Sequence, residues 1–350
     1  MKDTYTLPAA ADFHVHLRDG AMAEAVTPTI RQGGAEVAYV MPNLVPPVTT
    51  VAAALAYKER LQNIDPSVTY LMTLYLHESI TPEVVKEAKK AGISGIKSYP
   101  AGVTTNSSSG VISYEPFFPV FKAMEEEGLV LNLHGEVPSD RKGITVLNAE
   151  ASFLPTLQDL HRRFPKLRIV LEHCTTADAV AAVRSCGDTV VGTITAHHLS
   201  LLVDDWAGNA LCFCKPVAKT PADRRGLLEA AVNSRGKFFL GTDSAPHDVS
   251  AKKGSKAAAG VFTQPYACQY VLAALEDAIE RGDIKDEDVT EEFLRGFLGE
   301  WGRKFYGIAE SNRKIVLKKG GEVIVESIKG AGVEVIPFRS GEPTWSVEWQ

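Results

Sequence analysis

Two histidines one residue apart, His14 and His16, open a set of side chains able to do chemistry together. In an extended strand, residues i and i+2 share a face, so both imidazoles enter the same space. Neutral imidazoles that converge in this way are metal ligands. The pair alone is a weak signal, because a packed or surface pair has the same spelling. It gains weight from Asn43, Lys97, His134, His173 and Asp243, each closing a later apolar run, with Arg18 and His247 beside two of them. Five of the nine histidines fall in this set. Lys97 needs its own argument. An ammonium with a pKa of about 10.4 cannot ligate a metal, and by default such a lysine clamps an anion or forms a Schiff base. Carboxylated by CO2, it becomes a carbamate, with two oxygens and one negative charge able to bridge two cations. The sequence does not reveal that modification.

The elements that must position these residues form a repeating series. Apolar runs at 11–17, 36–43, 67–76, 92–99, 129–136, 168–174, 190–198 and 237–243 alternate with segments of helical spacing such as VAAALAYKERLQN and LPTLQDLHRRF. Continuous rather than alternating apolar runs mark strands buried on both faces of a parallel sheet. Eight strand–helix units predict an α/β fold, a closed (β/α)8 barrel, in which chemistry sits at the C-terminal ends of the strands. No Gly-x-Gly-x-x-Gly follows the first run, which counts against dinucleotide binding. The barrel is expected over 1–311. From 312 to 350 the pattern becomes β, with KIVLKKGGEVIVESI read as two strands around Gly320-Gly321, and this part is expected to pack on the barrel as a small C-terminal extension.

Composition narrows the class further. A formal charge of −6 and a pI near 5.9 leave no basic footprint for nucleic acid. No apolar run approaches the roughly 18 residues of a membrane span, and the N-terminus lacks the layout of a secretory signal. Five cysteines without regular spacing are expected to be reduced, packed thiols, which suits a cytoplasmic protein.

The motifs HVHLRDG (14–20), MPNLVPPVTT (41–50), KSYPAGVTTNSSSG (97–110), NLHGE (132–136), EHCTT (172–176), TAHHL (195–199) and GTDSAPH (241–247) resemble the amidohydrolase superfamily. Within it, they are similar to dihydroorotases of the single-function type found in bacteria and fungi. The motifs keep family order from residue 14 to about 260. The resemblance implies one zinc on His14, His16 and Asp243 and a second on His134 and His173, with N6-carboxylated Lys97 and a hydroxide bridging the two. It implies Asp243 as general base and Arg18, Asn43 and His247 as the grip on a substrate carboxylate. Thr104 and Thr105 match the tip of a mobile lid, and Ala259, Gly260 and the backbone at Lys215 match further substrate contacts. The family often has an apolar residue where Lys215 stands. The implied activity is reversible cyclisation of N-carbamoyl-L-aspartate in pyrimidine biosynthesis, by a homodimer.

Two rivals remain in view. A hydantoinase or allantoinase would share the metal ligands but differ at Arg18, Asn43 and the 104–110 loop. A catalytically dead scaffold relative would have lost ligands that this chain retains. Several other polar residues read as ordinary structure. His77 and His161 are expected to have no catalytic role, Asp12 to orient the backbone of the histidine pair, and the Lys252–Lys256 cluster to be a solvated loop.

Overall fold

The computed structural model describes residues 1–140 and 142–350. Eight parallel strands follow one another around a barrel. After an N-terminal strand β1 (Thr4–Pro8) come β2 (Ala10–Val15), β3 (Ala35–Val40), β4 (Thr69–Tyr75), β5 (Gly95–Ser98) and β6 (Val130–His134). The remaining barrel strands are β7 (Arg168–Glu172), β8 (Val190–Ile194) and β9 (Phe238–Leu240). The sheet order is β2 through β9 without interruption. The seam closes just beyond β9, where Val15 bridges Ser244 in parallel. There Asp243 N donates to His14 O (2.8 Å) and His16 N to Ser244 O (3.0 Å). Helices between the strands begin at threonine caps. Thr50, Thr81, Thr176 and Thr220 each accept a backbone N–H from the first turn, satisfying a donor the helix cannot pair internally.

The strands have two apolar faces because both are covered. Ala11, Phe13, Val37, Tyr39, Val130, Val170, Val191 and Phe239 fill the barrel interior. Ala38, Val40, Ile96, Leu131, Leu133, Ile169 and Leu171 belong to the shell under the helices. The floor is closed by Tyr306, stacked on Phe13 at 5.2 Å and tied by its hydroxyl to Asn132 Nδ2 (2.8 Å). With the floor packed solid, open space is left at the other end.

All eight expected strands are present, and most are two to four residues shorter at their C-terminal ends than the apolar runs suggested. The ladder stops where side chains must turn inward. Along β2 and the two residues after it, Ala11 and Phe13 face the interior and Val15 and Leu17 the outer shell. The register breaks between Asp12 and Val15. That bulge re-aims the strand, so that His14 and His16 enter the barrel mouth. His173 (φ 41°) and Asp243 (φ 47°) adopt left-handed backbone one and three residues past their strands. That conformation is uncommon outside glycine and clusters at functional sites. Gly241 permits the close approach of this segment, since a Cβ there would lie 2.9 Å from His14 Cβ.

The tail differs from the expected hairpin. Lys314–Val323 is one strand, β10, with a bulge between Lys318 and Gly321. Gly320 (φ 71°) and Gly321 (φ 84°) absorb the extra residues without reversing the chain. Strand β10 lies between β1 and the strand Pro343–Trp349 in an antiparallel sheet, so the small sheet draws on both ends of the chain. Trp345 is buried there against Tyr5. Among the described residues, no helix is long and apolar enough to cross a membrane. All five cysteines are free thiols, four of them buried.

Candidate active site

The open end of the barrel holds a narrow cavity lined by His14, His16, Arg18, Asn43, Tyr99, Thr104, Thr105, His134, His173, Lys215, Asp243, Ala245, Ala259 and Gly260. Residues from six strand ends and four loops meet here. His14, His173 and Asp243 present ligand atoms within 4.8 Å of one another. His16 joins through Asp243, its Nε2 standing 3.0 Å from Oδ1. His134 joins through the His173 ring, at 4.8 Å between centroids. Lys97 is fully buried, its Nζ 5.0 Å from the centre of the Tyr99 ring.

Four polar atoms of this cluster lack partners: among the described residues, both nitrogens of His14, Nζ of Lys97 and Nδ1 of His173 are buried without a hydrogen bond. Each unsatisfied buried group costs about 1–3 kcal/mol, and several at one cavity call for an occupant that accepts lone pairs. Burial, then the Lys97 charge, holds the His14 and His173 imidazoles well below their ordinary pKa, so both are neutral. Burial alone would raise the Asp243 carboxyl, but its contacts with His16, then His14 and His197, outweigh it and hold the group below the usual carboxylate range. Burial pushes the Lys97 ammonium down to about 8 against the pull of Glu172 and Asp243. Neutral imidazoles and an ionised carboxylate are the donor set of a divalent cation such as zinc. The residues fit a metal.

Two carboxylates, missed in the sequence, stand behind the imidazoles. Glu172 Oε2 lies 2.8 Å from His14 Nδ1, outside hydrogen-bonding alignment. The same carboxylate accepts from Asn132 Nδ2 (2.7 Å) and Thr193 Oγ1 (2.6 Å). Glu136 Oε2 meets His134 Nε2 at 2.7 Å, which leaves Nδ1 of that ring toward the cavity. Carboxylates behind metal-facing imidazoles fix their orientation and raise their basicity. Glu136 was visible as a residue two places beyond His134; Glu172 and Tyr99 carried no signal beyond standing next to a candidate. Asp12, as expected, holds the backbone, accepting from His14 N (3.1 Å) and Thr242 N (2.8 Å).

The three residues expected to grip a carboxylate are brought together with one difference. Arg18 and Asn43 line the cavity, whereas His247 lines a neighbouring one and stands behind Arg18, 3.2 Å from its Nη2. Its Nε2 faces Ala259 O (2.9 Å), and since a carbonyl only accepts, that nitrogen carries the hydrogen and its approach to Arg18 is a contact, not a hydrogen bond. Burial, then Arg18, holds this imidazole down to about 3, so it is a neutral prop. Thr104 and Thr105 overhang the cavity on a loop that is tied down, with Asn43 Nδ2 donating to Thr105 O (3.1 Å) and Lys215 Nζ to Val103 O (2.7 Å). Lys252, expected in solvent, is instead buried, its ammonium donating to the carbonyls of Phe213, Ala258 and Gly260 at 2.7–3.0 Å. A run of lysines and small residues gives no hint that one member turns inward to anchor the Ala259-Gly260 backbone. His77 and His161 make local bonds, to Ser79 and from Gly187 N, away from the cavity.

A parallel barrel carrying clustered imidazoles, a buried lysine and an aspartate at its strand ends has the arrangement of an amidohydrolase. The amidohydrolase family model matches residues 11–192. A probable dihydroorotase of Schizosaccharomyces pombe is 53% identical over 349 residues, covering 98% of this chain and 99% of that protein. The crystal structure of Saccharomyces cerevisiae dihydroorotase in complex with 5-fluoroorotic acid superposes with a TM-score of 0.93 at 44% identity, over 100% of this chain and 99% of that one. Dihydroorotase from Campylobacter jejuni gives 0.86 at 31% identity, over 100% and 98%. The chain belongs to the amidohydrolase family, within its dihydroorotase branch.

Proposed function

We propose that the chain is a dihydroorotase, closing N-carbamoyl-L-aspartate to L-dihydroorotate with loss of water and running the reverse hydrolysis, a step of pyrimidine biosynthesis. One observation carries this reading. Arg18 stands in the same cavity as the imidazoles and Asp243, under a polar loop, so a substrate carboxylate is held beside the hydrolytic centre. A guanidinium gives planar two-pronged recognition that an ammonium cannot copy.

In this reading His14, His16 and Asp243 would hold one zinc and His134 and His173 a second, with carboxylated Lys97 as a shared ligand. Bound zinc lowers the pKa of water to about 7 and polarises an amide carbonyl. Lys97 becomes a carbamate when its neutral amine adds to CO2 and releases a proton, and burial, by lowering its pKa, favours the reactive amine. Asp243 accepts a proton as water adds to the ring carbonyl and returns it to the departing ring nitrogen; for ring closure it begins protonated. Arg18 and Asn43 hold the substrate carboxylate. The backbone at Lys215, Ala259 and Gly260 holds its ring polar atoms, and Thr104 and Thr105 close the cavity. A homodimer in the cytoplasm belongs to the same proposal.

The test is turnover by the zinc-loaded protein. It should interconvert N-carbamoyl-L-aspartate and L-dihydroorotate and leave 5,6-dihydrouracil, which lacks the carboxylate, essentially untouched. Preference for dihydrouracil would make it a hydantoinase-type enzyme instead.

A further inference from the structure

Asn43 bonds to the metal cluster on one side and to the lid on the other. Its Oδ1 lies 2.8 Å from His16 Nδ1, and its Nδ2 donates to Thr105 O at 3.1 Å. The lid returns the contact, Asn106 Nδ2 donating to Asn43 O at 2.9 Å. Asn43 is buried, so these atoms have little recourse to water.

The chemistry of the three partners fixes every proton along this line. A carbonyl oxygen only accepts, so the group facing Thr105 O must be the NH2 of Asn43. Its oxygen then faces His16, and Nδ1 of that ring must carry the hydrogen. A neutral His16 therefore has its lone pair on Nε2, the atom facing Asp243 Oδ1 at 3.0 Å. Two lone pairs at that distance repel unless a cation lies between them, and a cation there requires this tautomer of His16.

We propose that Asn43 is a positioning residue that couples metal loading to lid closure. A closed lid orients the Asn43 amide, the amide selects the Nδ1–H tautomer of His16, and that tautomer presents Nε2 to the metal. The relation is reciprocal, because two events that favour the same arrangement favour each other. Loading the site thus holds the 102–107 loop down before any substrate arrives. One amide hydrogen of Asn43 stays free for the substrate carboxylate, so the relay and the substrate grip coexist. The proposal rests on the metal reading of the site but not on the identity of the substrate.

The test is hydrogen–deuterium exchange at the amides of Gly102, Val103 and Thr104, which donate to Ser107 O, Pro100 O and Ser107 Oγ when the lid is ordered. Protein stripped of zinc and protein reloaded with zinc are compared, with bound zinc measured in the same samples. In the wild-type chain, zinc should slow exchange about fivefold, the equivalent of one net hydrogen bond of ~1 kcal/mol. In Asn43→Ala the zinc-dependent difference should vanish. Asn43→Asp is nearly isosteric and keeps an acceptor toward His16 but sets a second oxygen against Thr105 O, so it should hold zinc with the lid exchanging fast. Lys215→Met removes the other lid tie and should speed exchange equally with and without zinc, keeping the ratio. Zinc protection of the wild-type size in both Asn43 variants would overturn the coupling, as would its loss in Lys215→Met. Absence of bound zinc from the wild-type protein would overturn the metal reading and this proposal with it, whereas failure to turn over dihydroorotate would overturn the proposed function alone.

Discussion

Replacing Arg18 with methionine probes the recognition of substrate most directly. The side chain is fixed from behind, with Nε donating to Pro246 O at 3.1 Å and the backbone carbonyl receiving the Tyr57 hydroxyl. His247 spends its Nε2 hydrogen on Ala259 O, so it props the guanidinium without neutralising it. The rest of the fork faces the cavity and can give a carboxylate two charge-assisted hydrogen bonds. At about 1.5–3 kcal/mol each, these sum to about 3–6 kcal/mol, a loss of roughly 10²- to 10⁴-fold in kcat/KM. Methionine keeps most of the volume, and the metal cluster does not touch Arg18 through a hydrogen bond, so zinc content should be unchanged. The decisive assay compares L-dihydroorotate with 5,6-dihydrouracil on both proteins. The variant should lose its activity toward the carboxylate-bearing compound and keep whatever trace it has toward the other. An equal fractional loss on both compounds would mean that Arg18 supports the fold of the site rather than the carboxylate, and an unchanged kcat/KM would remove it from recognition altogether.

Three further outcomes are expected. Lys97→Ala should abolish turnover and lower zinc content, and a small carboxylate such as propionate supplied with zinc should restore part of the activity while alkylamines should not; rescue by amines alone would make the ammonium the working form. Thr104→Ala combined with Thr105→Ala should cut turnover tenfold or more with little change in thermal stability, because the bonds that tie the loop use its backbone and the side chains of Asn43, Ser107 and Lys215; wild-type turnover in the double variant would make the loop an ordinary connection. Since its partners hold the Asp243 carboxyl below the ordinary range, its protonated form declines about tenfold per pH unit through neutrality. Ring closure should therefore slow by about that factor per unit while hydrolysis does not fall, and parallel rise of both rates would exclude Asp243 as the proton shuttle.

Much of the architecture was legible because a parallel barrel writes itself as continuous apolar runs, and the candidate ligands stood out as polar residues at the ends of those runs. Their exact aim was not legible. His173 and Asp243 reach the cavity through left-handed backbone, and His14 through a break in strand register, neither of which has a spelling in the local sequence. The carboxylate of Glu172 becomes significant only when strands far apart in the chain are brought around one cavity. Lys252 and the Gly320-Gly321 pair were misread for a related reason. Local chemistry suggested solvent for the one and a turn for the other, and tertiary contacts decided otherwise.

The pairing of Thr4–Pro8 with Lys314–Val323 bears on how the polypeptide leaves the ribosome. Tyr5 faces Leu317, roughly 300 residues later, so at a synthesis rate of ~5–20 residues per second the first strand waits roughly 15–60 s for its partner. During that interval Tyr5 and Leu7, both buried in the finished molecule, sit on an unpaired strand edge, and the barrel seam beside them is open until residues 243–244 emerge. Such an edge is a template for pairing with another nascent chain. Production of this protein should accordingly be sensitive to translation speed and to holdase chaperones that shield the first fifteen residues, and a fusion that shields this N-terminal stretch during synthesis should raise the soluble yield more than one that shields the tail.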